Sequence, residues 1–257
     1  MRMPAVFLGH GSPMNTLEVN RYSQAWRQIG QSLGRPKAVV SISAHWFIRE
    51  AAVTAMDAPE TIHDFRGFPE ELNTFQYPAP GSPRLAGRVR DLLAPVAVRM
   101  DEQWGLDHGT WSVLAHVFPD AAVPVVQLAI DATQPAQYHY EMGRRLAALR
   151  DEGVLIVGSG NVVHNLRAVK RGGDRSPYEW AQRFDEHVRT HLLARDHPSL
   201  VHYEMLGEAA SQAVPTPEHY LPLLYIIALQ REDEAVTIPV DGLEVGSISM
   251  LAAVVGA

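Results

Sequence analysis

Apolar runs that stop abruptly on small residues punctuate this chain. Val6-Phe7-Leu8 breaks off into Gly9-His10-Gly11-Ser12-Pro13. An apolar run bounded by Gly and Pro reads as a buried strand, here with a histidine at its carboxyl end. The pattern returns in Ala38-Val39-Val40-Ser41-Ile42-Ser43-Ala44-His45-Trp46. It returns again in Val154-Leu155-Ile156-Val157-Gly158-Ser159-Gly160-Asn161, which leads on to His164. Between the first two runs, Tyr22, Trp26, Ile29 and Leu33 recur at helical spacing. They predict a helix over Asn20–Leu33, closed by Gly34 and Pro36. Strands over 4–9 and 37–45 joined by that helix make a strand–helix–strand unit, with a parallel pair and a right-handed crossover.

The same reading continues along the chain. Ala51–Thr54, Val96–Arg99, Val123–Ile130, Val154–Val157, Val236–Pro239 and Ser247–Val255 read as strands. Pro83–Leu93, Pro135–Leu149, Pro177–Ala194 and Tyr220–Gln230 read as helices, and a further helix runs through His116. In Pro177–Ala194 the residues Trp180, Phe184, Val188 and Leu192 stand four apart, marking an amphipathic helix. Val154–Val157 is wholly apolar, like a strand buried on both faces. Ala58–Pro83 has no sustained periodicity, and a connection of that length in a compact domain is usually functional. Alternating strands and helices predict an α/β fold: a single domain over residues 1–257 with a mostly parallel central sheet flanked by helices.

Composition narrows the function. The chain has 257 residues, 46% of them hydrophobic, enough for a sizeable core. Its net charge of −7 and lack of a basic stripe argue against nucleic acid. No apolar run reaches the length of a membrane span, and residues 1–9 lack a signal-peptide pattern, so a cytoplasmic location is expected. There is no cysteine, which leaves His, Asp and Glu as the strong metal ligands.

Of the twelve histidines, His10, His45, His164 and His219 sit in punctuated, aperiodic contexts, and His108 lies in an Asp-His-Gly loop. Open α/β sheets bind ligands beyond the carboxyl ends of their strands. Neutral imidazole suits Zn and Fe, and two or three such ligands leave positions open for substrate. The spacing alone does not name the metal, because no local motif such as His-Glu-x-x-His is present. His187 and His191 stand four apart but in a charged amphipathic stretch, which reads as a solvated face. His197 and His202 are assigned no role either.

Seven motifs occur in one order: Gly9-His10-Gly11-Ser12-Pro13, Ser43-Ala44-His45-Trp46, His63-Asp64-Phe65, Tyr77-Pro78-Ala79-Pro80-Gly81, Leu106-Asp107-His108-Gly109, Gly158-Ser159-Gly160-Asn161 with His164-Asn165-Leu166, and Thr216-Pro217-Glu218-His219-Tyr220. Together they resemble the DODA-type extradiol aromatic ring-opening dioxygenases of the class III, LigB-like family, over residues 5 to about 250. One departure is that Ser249-Met250 is followed by Leu251 where relatives are expected to carry Arg. The resemblance implies a LigB-like catalytic domain with a non-haem Fe(II), or Zn(II) in the same place. Its substrates are a small, DOPA-like aromatic diol bound through both oxygens, and O2. It implies His10 and His45 as metal ligands, His219 as the third with Glu218 as its competitor, and His164 as acid/base within reach of the metal. His108 is implied to contact substrate or oxygen.

Phe65, Phe68 and Tyr77 are candidates for an aromatic wall, packing against the core being the other reading. His63 is either a substrate contact or an interior histidine bonded to its own loop. A zinc-dependent hydrolase on the same scaffold and a non-catalytic binding relative are the competing functions. The physiological catechol, 2,3 against 4,5 cleavage, and monomer against homodimer stay open.

Overall fold

The computed structural model describes residues 2–256. Its strands are β1 (Ala5–Gly9), β2 (Ala38–Ile48), β3 (Ala51–Thr54), β4 (Val98–Asp101), β5 (Val125–Asp131), β6 (Val154–Gly160), β7 (Val236–Val240), β8 (Leu243–Glu244), β9 (Ile248–Ser249) and β10 (Ala252–Val255). Eight of them form one sheet in the order β4-β3-β5-β2-β6-β1-β10-β7, and β8 pairs with β9 in a small hairpin. The four central strands, β5-β2-β6-β1, are mutually parallel, while β3 and β10 run antiparallel to them. Every residue of β1, β5 and β6 is buried. Continuous burial is what a parallel sheet covered on both faces requires.

Alternate residues feed the two faces. Phe7, Val40, Ile42 and Ile156 join a core with Val89, Met142, Phe184, Val188 and Leu224 from the helices Pro83–Leu93, Ala136–Arg145, Glu179–Ala194 and Leu221–Ile227. Val6, Leu8, Val39, Leu155 and Val157 pack against Trp26, Ile29, Trp111 and Leu114 of the helices Arg21–Leu33 and His108–Val117. The Asn20 side chain caps Arg21–Leu33 by accepting from the backbone N–H of Tyr22 and Ser23, each at 3.0 Å. A Cβ on Gly30 would stand 2.1 Å from the Val117 carbonyl oxygen, so this glycine sets the approach of the two helices.

The α/β architecture agrees with the sequence pattern, with four adjustments. β1 and β2 are parallel but not neighbours, because β6 lies between them. β6 pairs with β1 through Phe7↔Gly158 and with β2 through Ile42↔Gly158. The helix expected over Pro135–Leu149 is two, Ala136–Arg145 and Ala147–Asp151, meeting at Leu146. The strand expected over Ser247–Val255 is split into β9 and β10, which belong to different sheets. The strand expected at Val96–Arg99 begins at Val98. The helices His197–Val201 and Glu208–Ala213 span too few residues to show a helical period.

One buried ion pair ties the two ends of the chain to the middle. The Arg150 side chain, 1% exposed, donates to the carboxylate of Glu234 through two bonds of 2.7 Å. It also donates to the carbonyls of Met3 at 2.7 Å and Leu229 at 2.6 Å. Desolvation raises the Glu234 pKa, but the Arg150 hydrogen bonds outweigh it and hold the carboxyl at about 2. Removing one partner of such a pair leaves an uncompensated buried charge. Glu234→Gln is therefore expected to lower unfolding stability by about 3 kcal/mol at pH 7. A depressed carboxyl pKa gives stability that is present above the ordinary carboxyl range and lost as pH falls through the folded value. The difference between wild type and variant should shrink from pH 4.5 down to pH 2; denaturant titrations across that range check it.

Candidate metal centre and active site

β2, β6 and β1 lie side by side; Gly9 pairs with Gly160 and Ser43 with Ser159, where the pairing on β6 ends while β2 runs on along β5 to Ile48. His10 is the residue after β1, and His45 lies on β2 just beyond Ser43. His219 arrives from the loop before Leu221–Ile227. A Cβ on Gly160 would sit 2.1 Å from the His219 carbonyl oxygen, so the glycine at the end of β6 admits that loop. The His219 carbonyl then accepts from the Asn161 N–H at 2.9 Å. His164 follows β6, and its backbone N–H donates to Ala213 O at 2.8 Å. His108 begins the helix that Gly109 lets close on β2, where a Cβ would meet Ser43 Oγ and the His45 ring.

The five rings form one cluster. The Nε2 atoms of His10 and His45 are 3.2 Å apart. One donor atom from each of His10, His45 and His219 falls within 4.8 Å of the others. The His108 and His45 ring centres are 3.8 Å apart, and His164 stacks on His219 at 3.4 Å and 8°.

Hydrogen bonds on the outer side of the rings decide their tautomers. Ser159 Oγ donates to the Gly109 carbonyl, so it accepts from His10 Nδ1 at 2.9 Å. His45 Nδ1 donates to Asp64 Oδ2 at 3.1 Å, and His219 Nδ1 to Glu218 Oε1 at 3.3 Å. A neutral imidazole has one N–H. With these spent outward, the Nε2 atoms of His10, His45 and His219 face inward; those of His10 and His45 are at hydrogen-bond distance from each other, and His219 Nε2 is buried with no hydrogen-bond partner among the described residues. Two ring nitrogens held this close repel unless a proton or a metal cation lies between them. Burial, reinforced by the neighbouring imidazoles, pushes the pKa of His10 and His219 well below the ordinary value. Burial acts the same way on His45, but the Asp64 hydrogen bond and the charges of Asp107, Asp64 and Glu218 outweigh it and raise its pKa. The centre therefore favours one positive charge between neutral rings. Three neutral imidazoles fit Zn or Fe and leave coordination positions open.

Asp64 carries a role that the sequence reading did not give it. Its side chain, 18% exposed, takes the Nδ1–H of His108 on Oδ1 at 2.8 Å and that of His45 on Oδ2. Oδ1 also accepts the backbone N–H of His108 at 3.0 Å. Desolvation would raise its pKa, but the His108 and His45 hydrogen bonds hold the carboxyl well below the usual carboxylate range. The signal was a lone acid between His63 and Phe65 in the aperiodic segment. His164 has its pKa lowered to about 4, chiefly by burial, so near neutral pH its ring is uncharged.

The remaining candidates divide. Phe65 stands edge-on to His108 at 5.5 Å and to Phe68 at 5.2 Å, an aromatic surface beside the cluster. His63 Nε2 bonds to the Phe75 carbonyl at 2.9 Å, tying the loop to itself. Tyr77 packs in the core, the second of its two readings: it is 2% exposed, and its hydroxyl donates to Phe118 O at 2.9 Å. Glu218 Oε1 is taken by Thr216 Oγ1 at 2.8 Å as well as by His219. His187 and His191 face each other at 4.2 Å on the helix Glu179–Ala194, with His191 bonded to Asp196 at 2.9 Å.

The family model for the catalytic LigB subunit of aromatic ring-opening dioxygenase matches residues 4–256. The chain belongs to the LigB family of aromatic ring-opening dioxygenases. It is 56% identical over 260 residues to "4,5-DOPA dioxygenase extradiol" of Escherichia coli K12, covering 99% of this chain and 95% of that one. A protein of the same name from Beta vulgaris is 40% identical over 224 residues, with 84% and 83% covered. The crystal structure of an uncharacterized protein from Escherichia coli K12 superposes with a TM-score of 0.86 at 53% identity, covering 98% and 99%. The enzyme class expected from the motifs, extradiol ring-cleaving dioxygenase, is the one these matches show. No helix among the described residues is long and apolar enough to cross a membrane.

Placing Tyr77 in the core of this LigB-family enzyme has a measurable consequence. Tyr77→Phe should cost about 1 kcal/mol of stability, the net worth of one hydrogen bond. It should leave the KM for a catechol unchanged; a several-fold rise in KM would return Tyr77 to the substrate wall.

Proposed function

We propose that the whole chain forms one metal-dependent catalytic domain that opens the ring of a small, DOPA-like catechol with O2. In this reading His10, His45 and His219 hold Fe(II), and Zn(II) fits the same donors. The observation that carries it is the inward convergence of three Nε2 atoms, each ring having an outward partner on its Nδ1. The bound metal supplies the template and redox chemistry: it gathers diol and O2 at one centre and lowers the pKa of the diol. His219 is favoured over Glu218 as third ligand, because Glu218 already accepts from Thr216 and from His219 itself.

The protein's own groups handle protons, charge and position. His164, uncharged near neutrality, accepts a proton from a catechol hydroxyl. His108 has its Nδ1–H on Asp64, so its Nε2 is the ring's remaining polar atom. A proton acquired there makes it an imidazolium balanced by the Asp64 carboxylate, able to stabilise negative charge developing on oxygen. Phe65 and Phe68 offer an aromatic face to a flat ring.

Two measurements test this. Anaerobically purified protein reconstituted with Fe(II) and given DOPA should consume O2 in proportion to substrate and form a yellow ring-opened product. His10→Ala and His45→Ala should lose both metal and turnover. His164→Ala should keep metal while turnover drops about 10²–10⁴-fold, the usual weight of an acid/base group. No O2 uptake across a catechol panel with metal verified as bound sinks the dioxygenase reading. Normal turnover by His164→Ala removes that residue from proton transfer.

A further inference from the structure

The long segment between β3 and the helix Pro83–Leu93 is fastened to the protein just before Asp64. Leu106 N donates to Glu60 O at 2.8 Å, and Ile62 N to Leu106 O at 2.7 Å. Trp111 Nε1 closes on Ile62 O at 2.8 Å. A Cβ on Gly105 would stand 2.4 Å from Glu60 O, so the two stretches touch at the backbone. Asp64 emerges two residues later, with one carboxylate oxygen on His45 and the other on His108. It joins β2 to the helix His108–Val117 through the two imidazoles themselves. A carboxylate has acceptors and no donor, so both ring nitrogens facing it must carry protons.

From this geometry we infer that Asp64 is a positioning residue. Its carboxylate locks His45 and His108 together in the Nδ1–H tautomer, which leaves His45 Nε2 as a metal donor and His108 Nε2 for the reactants. The inference rests on the proposed metal role of His45 and adds the residue that makes that role possible. An amide at position 64 cannot do the same. It offers its oxygen to one ring and its N–H to the other, whose Nδ1 must then give up its proton and carry it on Nε2 instead. One of the two inward lone pairs is lost in either orientation of the amide. Trp111→Phe, by contrast, removes the fastening at Ile62 and leaves the carboxylate in place.

The test is zinc affinity of the metal-free protein, by competition with a chromophoric chelator, together with long-range 1H–15N NMR of the imidazoles. In wild type, both His45 and His108 should carry a proton on Nδ1. Asp64→Asn should bind zinc about 10–100-fold more weakly, the usual effect of removing a partner that orients a metal-binding histidine. One of the two rings should switch tautomer. Trp111→Phe should keep wild-type affinity and tautomers. Wild-type affinity in Asp64→Asn overturns the inference, as does equal weakening by Trp111→Phe, which would make the loop rather than the carboxylate responsible. Finding either ring as the Nε2–H tautomer in wild type overturns it with no variant needed. None of these readouts uses O2 or a catechol, so they stand apart from the test of the dioxygenase reading.

Discussion

Three imidazole lone pairs pointed at one another are the constraint around which this structure is arranged. Without a proton or a metal cation between them they repel, and burial takes away the water that would soften the repulsion. The protein holds them there by giving each ring a fixed acceptor on its far side: Ser159 for His10, Asp64 for His45 and Glu218 for His219. Each acceptor comes from a different part of the fold. Ser159 is part of β6, Asp64 of the long loop, and Glu218 of the segment that carries His219 itself. The arrangement therefore exists only when the sheet, the loop and the entry to the helix Leu221–Ile227 are all in place. Any cation that this cluster holds is thereby coupled to completion of the fold.

The sheet does the first part of this work through register. Because β6 lies between β1 and β2, the ends of β1 and β6 come level with Ser43 of β2, and His10 and His45 face one another across the width of one strand. Glycines do the second part. Gly160 and Gly109 stand where a methyl group would collide with the His219 carbonyl or with Ser43 and the His45 ring. These are steric requirements for bringing a loop and a helix terminus onto a strand end, where ligands of open α/β sheets bind.

Much of this was legible in the sequence. The apolar runs closing on Gly-His or Ala-His gave the strands, since the period of a buried strand and its punctuation are local properties; His10 does follow the end of β1, but β2 runs three residues past His45 to Ile48. Strand order was not legible, because it is set by which crossovers pack, and the pairing of β6 between β1 and β2 leaves no local trace. Short elements escaped for the same reason. The aperiodic segment Ala58–Pro83 was recognised as unusual, but within it weight went to His63 and Tyr77. Those two are tied down by Phe75 and Phe118, while the neighbouring Asp64 makes the connections to the cluster. A single acidic residue in a loop carries no period and no motif of its own. Its importance lies in its partners, which are 19 residues earlier in the chain and 44 later.

Beneath the cluster a second carboxylate repeats the logic in the backbone. Asp107, fully buried, caps the helix His108–Val117 by accepting from Thr110 N at 3.1 Å and takes the Ser43 hydroxyl at 2.6 Å. Ser43 Oγ in turn accepts the backbone N–H of His45 at 3.2 Å. Gln127 on β5 donates to the other Asp107 oxygen and accepts the Thr110 hydroxyl at 2.9 Å. Burying a carboxylate is costly unless its oxygens are filled by hydrogen bonds, and here both are. The network joins the start of the helix that carries His108 to the strand that carries His45. Asp64 joins the same two elements through the imidazoles themselves. One carboxylate thus fixes where the two residues stand, and the other fixes how their rings are turned. Position alone would leave each ring free to rotate or to exchange tautomers, and ring orientation alone would leave the separation unset, so fixing the His45 and His108 rings against each other needs both.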